Sequence, residues 1–321
     1  MNTLTTREQQ VESALFRGAG LTLQNPDYAC EVRILTESWL RVDLTPKDLT
    51  VAALELQSRK TSAIILAREP GIAAGCEEFA SLAKAHSISV RSGKNDGDTF
   101  QPGDTLLHLE GEQNQLLSLE RVGLNLLQRM CGIATRTRCL QERAAARCPS
   151  IRIVATRKTV WGLLDKRAVH LGRGGTHRLG LADAILIKNN HLALISRREE
   201  DAVPVALTRA WNHRHEAAFI EIEVRGEGAA LRAADSFRKL QKESGERYPS
   251  LLLLDNFEPR EITSIIDSLR RERLWDYVLI EASGGISQKN IESYADTGVD
   301  AISVGELTHS VQALDLCQRI S

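Results

Sequence analysis

The chain has 321 residues and a formal net charge of −1, room for two domains or for one large barrel with an extension. A near-neutral balance argues against a dedicated nucleic-acid binder, whose affinity rests on neutralising phosphates, and 42% hydrophobic residues suffice for a sizeable core. No apolar run of roughly 18 residues is present to span a membrane, residues 1–10 lack the apolar stretch of a secretory signal, and Cys30, Cys76, Cys131, Cys139, Cys148 and Cys317 form no Cys-x-x-Cys pair, which predicts reduced thiols of a cytoplasmic protein rather than a zinc site.

Residues 11–16 and 29–40 read as helix fragments, and residues 43–56 carry helical spacing after the turn signal Thr45-Pro46. Residues 61–67 (TSAIILA) read as a strand closed by Glu69-Pro70-Gly71, and residues 75–86 as an amphipathic helix. Residues 89–91 start a second strand, and residues 105–109, after Pro102-Gly103-Asp104, form another. Such alternation predicts a compact α+β layer. Residues 116–147 form a long helix in which Leu119, Val122, Leu126, Met130, Ile133 and Thr137 recur at helical spacing. Gly132 interrupts it at a cost of ~1 kcal/mol relative to Ala, which predicts a kink or the close approach of another backbone.

From residue 151 onward, apolar runs recur at 151–155, 184–187, 219–224, 251–254, 277–280 and 301–304, with helix-length stretches between them. Continuous runs of this kind fit parallel strands covered on both faces. At the end of each run stands a polar residue or a glycine: Thr156-Arg157-Lys158, Lys188-Asn189, Glu223, Asp255-Asn256, Ser283-Gly284-Gly285 and Gly305. A doubly wound sheet places its ligand at one switch point, whereas a barrel gathers many strand ends into one mouth. The pattern favours an α/β barrel, with glycines on the late strands where such barrels bind phosphate.

Residues 151–191 concentrate cations around the turn Gly172-Arg173-Gly174-Gly175: Arg157, Lys158, Lys166, Arg167, Arg173, Arg178 and Lys188 stand against only Asp165 and Asp183. Cations at strand ends beside such a turn predict an anion site. Lys166 and Arg167, mid-helix, are expected on a solvated face. Glu221 and Glu223 share one face of their strand. With Asp255 they offer hard oxygen ligands to a Mg²⁺ bound together with substrate phosphates, the bland reading being an acid paired with Arg157 or Lys158. His177 belongs to the cation cluster, and His191 reads as structural.

These residues carry a resemblance. Glu120-Arg121, Leu124-Asn125-Leu126-Leu127-Gln128-Arg129, Gly132-Ile133-Ala134-Thr135, Thr156-Arg157-Lys158-Thr159, His177-Arg178-Leu179-Gly180-Leu181, Leu186-Ile187-Lys188, Asn190-His191, Leu254-Asp255-Asn256-Phe257, Glu281-Ala282-Ser283-Gly284-Gly285-Ile286 and Ser303-Val304-Gly305 resemble, in order and approximate spacing, the quinolinate phosphoribosyltransferase family. The resemblance implies an α/β fold: an N-terminal α/β sandwich domain (residues 1–122) and an open, seven-stranded TIM-like α/β barrel (residues 123–310), with a helix over 311–321 packing back on the first domain. Six clear strands leave the seventh to a weak segment. It also implies a cytoplasmic, homodimeric pentosyltransferase of NAD biosynthesis. Such an enzyme uses Mg²⁺ and converts quinolinate and 5-phosphoribosyl-1-diphosphate to nicotinate mononucleotide, diphosphate and CO₂.

By the same resemblance, Thr156, Arg157, His177, Arg178 and Lys188 hold the two carboxylates of quinolinate, and Arg121 reaches in from the partner subunit. Lys158, Glu223 and Asp255 surround the diphosphate, metal and ribose, and Ser283, Gly284, Gly285 and Gly305 cradle the 5-phosphate. The sequence departs from the family pattern at Ala155 and Asn189, each in place of an aspartate, at Val160-Trp161-Gly162 in place of a proline-glycine, at Arg173 within the glycines, and in a longer segment over 226–248. Three alternatives stand beside this reading: a phosphoribosyltransferase for another ring carboxylate, a Schiff-base lyase or aldolase using Lys188 or Lys158, and a nucleic-acid binder using the basic stretch.

Overall fold

Polar caps and prolines set where the elements begin. In the computed structural model, which describes residues 6–320, α1 (Arg7–Leu15) starts at a reciprocal cap: the Gln9 N–H donates to Thr6 Oγ1, and the Thr6 N–H donates to Gln9 Oε1 at 2.8 Å. Asn25 caps α2 (Pro26–Leu44), with Pro26 in the first turn, where its missing N–H costs nothing. The helix expected over 43–56 is only α3 (Leu49–Ala53), because α2 runs to Leu44 and Pro46 separates the two. Then come β1 (Lys60–Ala67), β2 (Gly71–Ile72), α4 (Cys76–Ala85), β3 (Ser89–Ser92), β4 (Thr99–Phe100), β5 (Thr105–Glu112) and the 35-residue α5 (Gln113–Arg147). The remaining elements are β6 (Arg152–Val154), α6 (Leu163–Leu171), β7 (Ile185–Ile187), α7 (Asn189–Ala193), α8 (Glu199–Trp211), β8 (Ile220–Val224), α9 (Glu227–Ser244), β9 (Ser250–Asp255), α10 (Pro259–Arg271), β10 (Leu279–Ser283), α11 (Ile291–Ala295), β11 (Ala301–Ser303), α12 (Glu306–His309) and β12 (Leu316–Ile320).

The chain divides into two compact units. One unit comprises Gly18–Arg138, Thr159–Arg173 and the chain from Leu307 onward. It is built on an antiparallel sheet in the order β12-β1-β5-β3. The last segment, expected as a helix over 311–321, is instead a strand that pairs with β1 from Ala67↔Leu316 to Ala63↔Ile320. β1 offered an open edge, and so short a segment gains more from a ladder than from an isolated helix. Gly132 in α5 answers to a close approach: a Cβ there would lie 2.2 Å from the Gln312 carbonyl oxygen.

The other unit comprises the chain through Arg17, Cys139–Lys158 and Gly174–Glu306, so the division differs from the expected break after residue 122. The reasons are local. α5 is continuous across that point, and α1 buries Val11, Ala14 and Leu15 against Phe219, Leu251, Leu279 and Ala301 at the beginnings of the strands. Burial of Val11 and Leu15 stabilises this plug by roughly 1.5–3 kcal/mol each, and Arg7 adds a paired contact to Asp300 at 2.5 and 2.6 Å.

Six parallel strands run in the order β6-β11-β10-β9-β8-β7. β8 and β9 are buried on both faces except at Asp255: β9 carries the apolar run Leu251–Leu254, while β8 alternates isoleucines with the buried Glu221 and Glu223. A seventh position lies beside β6, where Val154 bridges Gly175 in parallel. The Ala155 N–H donates to Gly175 O (2.8 Å) and the Gly175 N–H to Ile153 O (2.9 Å). A Cβ on Gly175 would lie 2.6 Å from Val154, so only glycine permits this approach. Among the described residues no ladder joins this segment to β7, and the α/β barrel is open. Among them, too, no helix is long and apolar enough to cross a membrane.

Candidate active site

A cavity of about 310 Å³ opens at the C-terminal ends of the parallel strands, the end at which α/β barrels carry their chemistry. Thr156, Arg157 and Lys158 enter it from the end of β6, His177 and Arg178 from just past the Gly175 bridge, and Lys188 from the end of β7. Glu223 of β8, Asp255 of β9 and Ser283 of β10 complete the set expected from the sequence that lines it. Sequence reasoning assigned no role to Glu281 and Ser303, which line it as well.

The cationic side holds one deeply placed guanidinium. Arg178 is only 6% exposed. Its Nη1 donates to Ala184 O at 3.3 Å, and its Nε has no hydrogen-bond partner. Burial, and then the nearby Arg157 charge, push Arg178 down from the usual arginine range. His177 beside it is 5% exposed, with φ +54°. A left-handed conformation at a residue other than glycine costs about 1–2 kcal/mol, and three contacts hold it: the His177 N–H donates to Leu15 O (2.8 Å), the Arg178 N–H donates to Nδ1 (2.8 Å), and Nε2 lies 3.0 Å from Glu221 and 3.3 Å from Glu281. Burial alone would push His177 down, but the Glu281 and Glu221 carboxylates outweigh it and raise it to about 9. Burial and the Glu281 charge push Glu221 up. The extra proton belongs to the cluster as a whole.

The acidic side is a paired set. Glu223 accepts from Lys188 Nζ at 2.8 Å and from Asn189 Nδ2 at 2.7 Å. Asn189 stands where the family pattern has an aspartate, and an aspartate could not donate this bond. Arg225, which no sequence motif singled out, sits 3.9 Å from Asp255 and 4.0 Å from Glu223. The donor set of Glu223 and Asp255 is carboxylate oxygen alone, which suits Mg²⁺ rather than zinc.

Two glycines follow β10. Gly284 (φ +92°) packs so closely on Asn256 that a Cβ would lie 2.3 Å from its Oδ1, while Gly285 (φ +63°) faces open space. Ser283 and Ser303 hydroxyls meet at 2.8 Å, and Gly305 lies two residues past β11.

Other expected positions lie elsewhere. Arg121 is exposed on α5 and borders a surface hollow with Trp39 and Trp161. His191 Nδ1 accepts the Lys188 N–H at 2.9 Å, a structural cap. Lys166 and Arg167 are not on a solvated face: they are 1% and 7% exposed. Arg167 lies 3.5 Å from Glu77, 3.8 Å from Glu78 and 4.0 Å from Asp96, acids remote in sequence that no local pattern reveals. Glu221 was singled out by its period-two relation to Glu223, and Glu281 could have been found at the head of the Glu281-Ala282-Ser283-Gly284-Gly285 motif.

Comparison with known proteins agrees with this geometry. Family models described as Quinolinate phosphoribosyl transferase match residues 48–131 (N-terminal domain) and 133–318 (C-terminal domain). A Methanothermobacter thermautotrophicus protein named probable nicotinate-nucleotide pyrophosphorylase (carboxylating) is 40% identical over 283 residues, 88% of this chain and 96% of the relative. The Mycobacterium leprae nicotinate-nucleotide pyrophosphorylase (carboxylating) is 37% identical over 84% of this chain and 89% of its own length. A solved structure of the nicotinate-nucleotide pyrophosphorylase from Francisella tularensis is similar with a TM-score of 0.76 at 28% identity, covering 91% of this chain and 96% of that one. With both domains matched in order and the relatives covered nearly end to end, the chain belongs to the quinolinate phosphoribosyltransferase family.

Proposed function

We propose that the protein is a quinolinate phosphoribosyltransferase of NAD biosynthesis, joining quinolinate to 5-phosphoribosyl-1-diphosphate and releasing nicotinate mononucleotide, diphosphate and CO₂. The observation that carries this reading is the buried Arg178, whose Nε has no partner and which lines one cavity with Arg157, Lys188, Glu223 and Asp255. A buried guanidinium without its own anion is costly to maintain, and a carboxylate of the substrate supplies that anion.

Thr156, Arg157, Arg178 and Lys188, with His177 beside them, hold the two carboxylates and orient the pyridine nitrogen toward the anomeric carbon. The nitrogen lone pair forms the new bond as the bond to diphosphate breaks, and positive charge grows on the ribose. Glu223 and Asp255 stabilise that charge, Lys158 meets the diphosphate, and Ser283, Gly284, Gly285 and Gly305 hold the 5-phosphate. Glu223 and Asp255 would hold Mg²⁺ together with diphosphate, and the ion would supply Lewis-acid stabilisation of the leaving group. Holding both substrates in line supplies much of the remaining acceleration. The carboxylate next to the nitrogen then leaves as CO₂, its bonding electrons stay on the ring carbon beside the cationic nitrogen, and that carbon takes up a proton. Lys188 is 48% exposed and ion-paired with Glu223, unlike the desolvated amine that Schiff-base chemistry requires.

The working form is a cytoplasmic homodimer in which Arg121 completes the partner's site. Two inactive variants, Arg121→Ala and Lys158→Ala, unfolded together and reassembled, should recover roughly a quarter of wild-type activity, because about half the dimers are hybrids with one intact site. No recovery from fully dimeric mixtures would contradict the sharing. The reaction itself is tested by incubating the protein with quinolinate, phosphoribosyl diphosphate and Mg²⁺. Nicotinate mononucleotide and CO₂ should appear in equal amounts, and their absence with folded protein would overturn the assignment.

A further inference from the structure

Beneath the cavity lies a cluster that the transferase reading leaves without a task. Glu221 and Glu281 are 0% and 1% exposed, and all four of their carboxylate oxygens lack a conventional hydrogen bond. They come from β8 and β10, on either side of β9, and converge on His177 Nε2. On the opposite edge of the ring, Nδ1 lies 2.8 Å from the Arg178 amide nitrogen. A backbone N–H can only donate, so Nδ1 carries the lone pair and the ring proton sits on Nε2, 3.0 Å from Glu221 and 3.3 Å from Glu281, with the extra proton of the cluster held on a carboxylate. Nδ1 is committed to the Arg178 amide, and Nε2 faces the two carboxylates.

The same assignment decides against a metal. The ligand atoms of His177, Glu221 and Glu281 lie within 4.8 Å of one another, close enough for an ion. A ring whose Nδ1 accepts an N–H could offer Nε2 to a cation only by losing its last proton. Zinc-bound histidines have the reverse arrangement, with the second nitrogen donating.

We propose that Glu221 and Glu281 are positioning residues that act through His177: they anchor the imidazole, the imidazole anchors the Arg178 amide, and the left-handed turn at His177 thereby aims the Arg178 guanidinium at one carboxylate of the ring diacid. The proposal rests on the quinolinate reading. It gives the buried carboxylates a task that nothing in the reaction chemistry assigns them. It also explains why a residue other than glycine is kept in a left-handed conformation at this point: the ring is the link, and glycine would supply the turn without the link.

Charge alone predicts the opposite sign. Removing two anions from beneath a site for a dianion should tighten quinolinate binding, whereas loss of an anchor should weaken it. The test is calorimetric titration of quinolinate and, separately, of phosphoribosyl diphosphate into the dimeric enzyme. Glu221→Met/Glu281→Met should weaken quinolinate by at least about tenfold and phosphoribosyl diphosphate by less than about twofold. Glu221→Gln/Glu281→Gln, whose amide oxygens keep a polar contact for Nε2, should recover most of the loss. Adding His177→Ala to the methionine pair should cost no more than His177→Ala alone, the signature of residues acting through one another. Tighter quinolinate binding, equal weakening of both substrates, multiplicative effects, or glutamines no better than methionines would each overturn the proposal. Should the methionine pair fail to fold, ¹⁵N spectra of histidine-labelled wild-type enzyme decide directly: an unprotonated Nδ1 and a protonated Nε2 at His177 are expected, and a protonated Nδ1 overturns the proposal. Wild-type enzyme that does not bind quinolinate would sink the transferase reading, while the spectrum would still report on the anchor.

Discussion

Each unit of the molecule buries an arginine, and the two arginines are kept for different ends. Arg167 on α6 lies among Glu77, Glu78 and Asp96, all within 4.0 Å of its guanidinium, and Tyr28 donates to Glu78 at 2.7 Å to close the set. Arg178 lines the cavity at the strand ends, and its hydrogen bond goes to the neutral Ala184 carbonyl. Neither Nε makes a hydrogen bond, so the difference lies in what the guanidinium meets: three carboxylates within 4.0 Å in one case, the lining of a cavity in the other. Burial and nearby acids therefore do not by themselves mark a functional cation. A cation that the protein leaves without an anion of its own, facing a cavity, does mark one.

Four measurements break or sharpen this contrast. The largest effect should come from Arg167→Met. It strands Glu78 and Asp96, and breaking a buried pair on one side costs about 3–5 kcal/mol. Urea unfolding should show that loss, with the quinolinate affinity of the folded fraction changed by less than about twofold. Arg178→Ala should do the reverse. It removes charge-assisted bonds worth about 1.5–3 kcal/mol each, so the quinolinate Kd measured by calorimetry should rise about a hundredfold, while stability falls by less than about 1 kcal/mol. A large stability loss with unchanged affinity would erase the distinction between the two arginines.

The pH dependence is a smaller effect. Burial, and then the Asp96 charge, push Glu78 up to about 7. Its folded value exceeds the unfolded one, so the favourable contribution is fully present below the ordinary glutamate range and is lost as pH rises through about 7. Between those limits wild-type stability should decline with a slope of at most about 1.4 kcal/mol per pH unit from this group, and Glu78→Gln should flatten it in urea titrations from pH 4.5 to 8. A slope unchanged by the substitution would place the proton elsewhere. The smallest structural effect belongs to Glu223→Ala and Asp255→Ala. Quinolinate affinity should change by less than about threefold while turnover falls far more, and loss of quinolinate binding would show that the acidic side holds the ring.

The sequence made the parallel strands legible through apolar runs such as Leu251–Leu254 of β9, and Glu223 and Asp255 at the ends of β8 and β9 reach the cavity. It concealed the seventh strand position, which is a single bridge at Gly175 with no apolar run to announce it. It misplaced Lys166 and Arg167 because a helix rich in charge looks solvated until the acids of α4 and Asp96 come into contact with it. The helix expected over 311–321 came from the resemblance alone, and the free edge of β1 that recruits the segment as a strand is a tertiary feature. Glu221 was visible as a neighbour of Glu223 on one strand face, but its partner His177 is reached only through the fold.

The central claim is that Arg178 and its neighbouring cations are built for a ring with two carboxylates. Competitive calorimetry of quinolinate against nicotinate on wild-type enzyme tests it most directly. A site arranged for two carboxylates leaves a buried charge unpaired when one is missing, so quinolinate should bind at least about a hundredfold more tightly. Equal affinities for the two acids would contradict the account.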